Sequence, residues 1–306
     1  MGPFARANTG RDRPRVIVIG CDEVGSAIAC TLHAAGMAIV LVDDVDPPWA
    51  RRGMSYADAW YVGGATLEQV DACFCGSVKS IPAVLARGDT IAATTWSWEG
   101  VASALGPVAV IETRPGCGHS LAHARPERLE GVLAVGVRTS QVAGWRADVV
   151  IAGAARGESG LRATPLDFAS RGPWGQAPTR IEAPHHGRFH TRHEIAERVE
   201  AGDVIGELGN FAAVAPASGV LTALAARGAR VAAGHTLAEI DPSGDAQRCY
   251  RMTSEARAIA GRVASAVRAH VQSRGGAAAN PDTLKGFSRC CLRPPGECPS
   301  TTCRRS

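Results

Sequence analysis

The segment Gly20-Cys21-Asp22-Glu23-Val24-Gly25-Ser26-Ala27 comes close, in residue type and spacing, to a ligand-holding device. An apolar run that breaks at a glycine and turns into a helix presents backbone N–H groups to an anion. A dinucleotide fingerprint has a glycine where Asp22 stands, so that the backbone can approach a pyrophosphate; a carboxylate there repels the diphosphate. Asp43 follows Gly20 by 23 residues, near the place of a ribose-binding acid. Two readings stay open. One is a degenerate NAD(P) loop, and the other is a scaffold in which Gly20 makes the turn and Gly25 lets helix and strand close up. Arg51-Arg52, followed by Ser55-Tyr56-Ala57-Asp58-Ala59, and Arg114 offer bidentate donors suited to phosphate or carboxylate, with a solvated loop as the plain alternative.

Other candidates are weaker. His186, His190 and His193 have the spacing H-x3-H-x2-H, which on a strand and turn does not put three rings on one face. Cys290, Cys291, Cys298 and Cys303 lack paired CxxC knuckles, so no metal site is expected from them. Cys21, Cys30, Cys73, Cys75, Cys117 and Cys249 are scattered and read as buried thiols. Ser26 and Ser55 have no assignable partner histidine, and no catalytic set is assigned.

The elements that must position these residues begin with Arg15-Val16-Ile17-Val18-Ile19-Gly20, a β-branched run with the look of a buried parallel strand. Val24, Ala27, Ile28 and Leu32 recur at helical spacing up to a C-cap at Gly36, and a second strand is expected from Ala38 to Val42. Further along, strands are expected at Val70–Phe74, Thr90–Thr95, Val108–Glu112, Val132–Val137 and Ala147–Ala152, and helices at Ile81–Ala86, Val101–Leu105 and Ser254–His270. Strands alternating with helices predict a Rossmann-like α/β domain with a parallel sheet, open to ligand at its carboxyl edge.

A different pattern follows. The 26 residues Ala183–Leu208 repeat 32 positions later as Ala215–Ile240, with eight identities. Ala-Pro-x-x-Gly opens each copy, and Arg198-Val199-Glu200-Ala201-Gly202 matches Arg230-Val231-Ala232-Ala233-Gly234. Short strands separated by such turns fit two interlocked hammerheads, and the unit resembles an all-β biotinyl/lipoyl-type barrel-sandwich domain. Such carriers tether their group through a lysine amine at the turn between halves. Here that turn reads Leu208-Gly209-Asn210-Phe211-Ala212-Ala213-Val214, and the two lysines, Lys79 and Lys285, lie elsewhere. Biotin and lipoate are therefore not expected, and the repeat reads as fixed architecture.

The resulting division is 1–14 as a disordered start, 15–112 as the Rossmann-like domain and 113–180 as a glycine-rich segment packed on it. The repeat domain occupies 181–241, a turn and helix 242–270, and a disordered basic tail 271–306. The tail holds six bases against two acids, equal to the whole net charge of +4, so the body is near neutral. A broad nucleic-acid face is not expected. With no run of about 20 apolar residues and no secretion-type start, a cytoplasmic protein without membrane attachment is expected.

The order of parts resembles the YqeB family, which is associated with selenium-dependent molybdenum hydroxylase systems and related in role to accessory factors of xanthine dehydrogenase. The glycine loop, Arg51-Arg52 with Ser55–Ala59, and the doubled Ala-Pro-x-x-Gly carry the likeness. It is sharpest in Asp241-Pro242-Ser243-Gly244-Asp245-Ala246-Gln247-Arg248-Cys249-Tyr250 and in Ala256-Arg257-Ala258-Ile259-Ala260-Gly261-Arg262-Val263. The chain departs from the family's Gly-Leu-Gly-Pro-Gly-Phe loop, here Gly136-Val137-Arg138-Thr139-Ser140-Gln141, and from its acidic-Thr-x-Arg-Gly-His motif, here Ala152-Gly153-Ala154-Ala155-Arg156-Gly157-Glu158. The resemblance implies an accessory protein, without turnover of its own, that handles molybdopterin non-covalently for a molybdenum hydroxylase apoenzyme. Gly20, Asp22, Gly25, Asp43, Arg51, Arg52 and Arg114 would form the cleft, with Asp241 and Asp245 bounding it from the other domain.

Overall fold

β-branched residues at alternate positions explain the central sheet. The structure, a computed structural model, describes residues 13–114, 131–137, 147–151 and 178–277. Strands β1 (Arg15–Ile19), β2 (Ala38–Val42), β3 (Gly64–Leu67), β4 (Val70–Phe74), β5 (Thr90–Thr94), β6 (Ala109–Glu112), β7 (Leu133–Val137) and β8 (Val149–Ile151) form one sheet in the order β3-β4-β5-β2-β1-β6-β7-β8. Neighbours run parallel except β3 and β4. Val16, Val18, Ile39 and Leu41 face a layer made by α1 (Glu23–Ala34) and α5 (Ser254–Ala277). Ile17, Ile19, Val40 and Val42 face the opposite layer, made by α3 (Ile81–Arg87) and α4 (Trp98–Leu105). Both faces are thus dry, which is what keeps parallel strands in register.

Helix α5 lies against α1 through Ala256, Ile259, Ala260, Val263, Ala264 and Val267, all buried at helical spacing. It runs to Ala277, past the expected end at His270, and α4 begins at Trp98, not Val101, because Ser97 caps Gly100 N–H. Helix α2 (Asp58–Val62) and the hairpin of β3 with β4 were not foreseen. Their turn is made by Glu68 and Gln69, both with positive φ (50° and 67°), so the usual glycine signal of a tight hairpin is missing.

The repeat region forms two antiparallel sheets. Its strands are β9 (Thr179–Glu182), β10 (Gly187–His190), β11 (Arg198–Val199), β12 (Val204–Leu208), β13 (Phe211–Val214), β14 (Gly219–Leu224), β15 (Arg230–Val231) and β16 (Thr236–Asp241). The orders are β13-β12-β10-β15 and β11-β14-β16-β9. A shift of 32 residues carries β9 onto β13, β10 onto β14, β11 onto β15 and β12 onto β16, so one sheet maps onto the other. Each half lends its two-residue strand to the other half's sheet, β15 to β10 and β11 to β14. The shared interior holds Phe189, Ile205, Leu208, Leu221, Leu224, Leu237 and Ile240. The first strand of this unit opens at Thr179, two residues ahead of the expected boundary.

The string from Asp241 to Tyr250 then straps the β unit to the sheet unit. Asp241 Oδ1 accepts from Ser243 N–H, and Asp245 caps the 3-10 turn Ala246–Tyr250 through Gln247 N–H. Cys249 is buried, with its thiol pushed up to about 11 by burial, and Tyr250 donates to the Ile195 carbonyl. A methyl on Gly53 would meet the Cys249 carbonyl oxygen at 2.5 Å, so the loop after β2 closes on this strap without a side chain between.

Candidate functional site

Parallel sheets bind ligands beyond the carboxyl ends of their strands. Here the carboxyl end of β1 leads into Gly20, whose φ of +106° suits glycine, and then into α1. A Cβ on Gly25 would fall 2.0 Å from the Gly20 carbonyl oxygen, so α1 starts directly on the turn. Asp22 does not face outward along a phosphate path: as the N-cap of α1 its carboxylate accepts from Gly25 N–H at 2.8 Å. The helix end that would receive an anion therefore already carries one.

Asp43 is similarly engaged. Its Oδ2 accepts from Cys21 N–H and from Trp49 Nε1, both at 2.7 Å, and its Oδ1 from Asp44 N–H. Burial raises this carboxyl above its ordinary value, against the pull of those donors. Burial and the neighbouring Asp43 push the Cys21 thiol well up, which keeps it protonated. Asp43 thus fixes the glycine loop to the Trp49 ring.

The arginine pair turns inward. Arg51 donates from Nε to Glu239 at 2.8 Å and from Nη1 to Glu23 at 2.9 Å, joining α1, the loop after β2 and β16. Burial works to lower its pKa, but Glu239 and Glu23 outweigh burial and raise it. Arg180 on β9 adds a second donor to Glu239 at 2.9 Å, and Glu23 also accepts from Thr253 at the start of α5. Arg52 pairs with Asp58 and donates to the Leu224 carbonyl, while Leu224 N–H returns a bond to the Ala50 carbonyl. Arg51 and Arg52 are therefore engaged where the two units dock: folding supplies carboxylates that the sequence spacing does not show. Arg114 lies beside Glu112 and Asp44.

What this docking leaves is a cleft of about 260 Å³ between the sheet edge and the β unit. Asp22, Glu23, Trp49, Arg51, Arg180, His235 and Glu239 are among its lining residues. Of the nine residues expected to form the site, Asp22 and Arg51 line it, and Asp43 holds the Trp49 that does. Gly20 and Gly25 shape the loop behind it, while Arg52, Arg114, Asp241 and Asp245 stand outside the lining. Asp241 is buried, its Oδ2 without a partner among the described residues, and Asp245 works as a cap. Glu23, Trp49, Arg180 and Glu239 were missed. Glu239 did carry a signal, since Glu207 and Glu239 are identical positions of the repeat.

Among the histidines, His193 lies 3.0 Å from Glu197, and His185, His186 and His190 are exposed. Among the described residues no group of three or more His, Cys, Asp or Glu side chains is placed to hold a metal ion. Cys117, the four tail cysteines, Arg138–Gln141 and Ala152–Glu158 lie outside the described residues. No described helix is long and apolar enough to cross a membrane.

Fold and cleft define an α/β protein whose parallel sheet is roofed at its carboxyl edge by an antiparallel β unit. No family model matches the chain. It is 24% identical over 261 residues to "Uncharacterized protein YqeB" of Escherichia coli (strain K12), an alignment that takes in 82% of this chain and 47% of that protein. The chain is thus similar to YqeB, and it spans about half the length of the curated relative it matches. Among solved structures, a succinylglutamate desuccinylase/aspartoacylase from Rhodobacter sphaeroides is matched over 76% of this chain and 87% of that one, at 14% identity and a TM-score of 0.21.

Proposed function

We propose that this protein is a non-covalent accessory factor of a molybdenum hydroxylase system, and that its interdomain cleft receives the pterin end of molybdopterin. The observation that carries the reading is the composition of the cleft wall: an aromatic ring held in place beside buried carboxylates and guanidiniums. The Trp49 ring, tied through Nε1 to Asp43, is a fixed face on which a planar heterocycle can stack. A pterin presents an amino group and a ring N–H on one edge, and carboxylates such as Asp22 and Glu239 accept from such an edge. Three acids against two arginines favour that neutral end over a phosphate, because both guanidiniums are already matched.

At about 260 Å³ the cleft is smaller than those that enclose a whole drug-sized ligand, which suits partial capture and hand-over. The repeat unit is read as a barrel-sandwich fold of two hammerheads, supported by the strand exchange between its halves; it then acts as a roof and not as a swinging arm. The NAD(P) alternative is less favoured, because Asp22 already caps the helix end that a pyrophosphate would use. Thermal melting of the full chain separates the readings, since a ligand shifts the melting point only if the folded state binds it. Extracted molybdopterin is expected to raise it, with NADH, NADPH and zinc giving no change. A rise with NADH alone would overturn the proposal.

A further inference from the structure

The two halves of the β unit are equivalent by sequence and by strand order, yet among the described residues the sheet unit covers one of them and not the other. In the second half, the loop before the 3-10 turn Arg52–Met54 lies on the end of β14: Leu224 N–H donates to the Ala50 carbonyl, Arg52 Nε donates to the Leu224 carbonyl, and Arg51 reaches Glu239. Subtracting 32 from these positions gives Arg192 for Leu224 and Glu207 for Glu239. The local geometry is also repeated. Glu239 pairs with Arg180 across β16 and β9, and Glu207 pairs with Ala212 across β12 and β13. Gly228 N–H bonds the Phe189 carbonyl, and its mate Ala196 N–H bonds the Leu221 carbonyl, with φ of +80° and +71°.

In the first half no described residue of the sheet unit covers this face. A groove of about 570 Å³ runs over it, lined by His190, Arg192, His193, Val204, Glu207 and Arg227 among others. Among the described residues, neither the Arg192 N–H nor its guanidinium has a partner, nor does the Arg227 guanidinium. Arg192 and Arg227 are exposed, whereas their repeat mates Leu224 and Ile195 are apolar and buried. The open face has therefore acquired two guanidiniums at the positions where the covered face is apolar. Against them the lining holds one carboxylate, Glu207. Val204, 51% exposed, and Val214, 44% exposed, pair across β12 and β13 and give this side an apolar shoulder.

We infer that this groove docks an extended acidic segment of a partner protein, in the manner in which the covered half takes the chain's own Ala50–Arg52 loop. The segment's backbone carbonyl accepts from Arg192 N–H, as Ala50 does from Leu224, and its carboxylates pair with Arg192 and Arg227. Backbone pairing sets the segment's direction, and the charge selects an acidic sequence. The inference does not depend on what the interdomain cleft binds.

The test is fluorescence anisotropy of the full chain with a fluorescein-labelled twelve-residue peptide of alternating glutamate and threonine, at fixed ionic strength. Binding is expected, with at least a tenfold loss in the double variant Arg192→Glu/Arg227→Glu, whose melting point should match the parent because both side chains are exposed and unpaired. A peptide with alternate amides replaced by esters, whose carbonyls are weaker acceptors, is expected to lose binding, and inorganic phosphate at matched ionic strength is expected not to displace the parent peptide. Retained affinity in the double variant would overturn the inference. So would equal binding of the ester-substituted peptide, or full displacement by phosphate, which would mark a site for free anions. Sedimentation showing that the parent self-associates and the double variant does not would assign the groove to a second copy, and that too would overturn it.

Discussion

Arg51 carries more of this structure than any ligand reading of the sequence suggests. Its guanidinium neutralises Glu23 and Glu239, which are 7% and 2% exposed. Replacing Arg51 by Met leaves buried Glu23 without its cation and Glu239 with Arg180 alone, and breaking a buried ion pair by removing one partner typically costs about 3–5 kcal/mol. Urea unfolding should show that loss, and adding Glu23→Gln and Glu239→Gln to the same chain should recover part of it. Asp43 gives a second expectation. Its folded carboxyl titrates above the ordinary 3.8, so between that value and its raised folded value the folded chain holds a proton that the unfolded chain has released. Stability relative to an Asp43→Asn variant should therefore fall as pH rises through that window and then level off. Stability unfolding curves that stay parallel at every pH would show the carboxyl to be solvated. The residue types of this site were visible in the sequence, but their partners were not. Arg51 and Glu239 are 188 positions apart, and nothing in local spacing pairs them.

Among the elements, β1, α1 and β2 were legible because burial on both faces leaves a continuous β-branched run, and because the α1 pattern is strongly periodic. The β3–β4 hairpin was not, since Glu68 and Gln69 adopt a turn conformation usually left to glycine or asparagine. Gly25 tests the α1 start. A Cβ there would sit 2.0 Å from a backbone oxygen, which cannot swing aside, so Gly25→Ala should cost about 1–3 kcal/mol or more by overpacking. The α5–α1 contact gives the opposite kind of change. Ile259 is fully buried against α1, and Ile259→Ala should cost about 2–5 kcal/mol through lost burial and the cavity left behind. Both are read from denaturant midpoints, and a change below about 0.5 kcal/mol in either would contradict the packing described.

At the scale of the whole molecule, the repeat was plain in the sequence as a period of 32, and the exchange of β11 and β15 follows from it. Which half would meet the sheet unit was not, because the deciding contacts come from the loop after β2 and from the strap after β16. That asymmetry sets the two surfaces apart: the covered half closes a cleft over the glycine loop, and the open half keeps a basic groove. The cleft, with Trp49 as its ring, is the proposed seat of a molybdopterin-class ligand. The most direct measurement is a binding isotherm of extracted molybdopterin on the parent chain, on Trp49→Phe, on Trp49→Ala and on Arg192→Glu. Saturable one-to-one binding is predicted, kept in Trp49→Phe and Arg192→Glu and weakened at least tenfold in Trp49→Ala. Absence of binding, or an isotherm that Trp49→Ala leaves unchanged while the chain remains folded, would contradict the account.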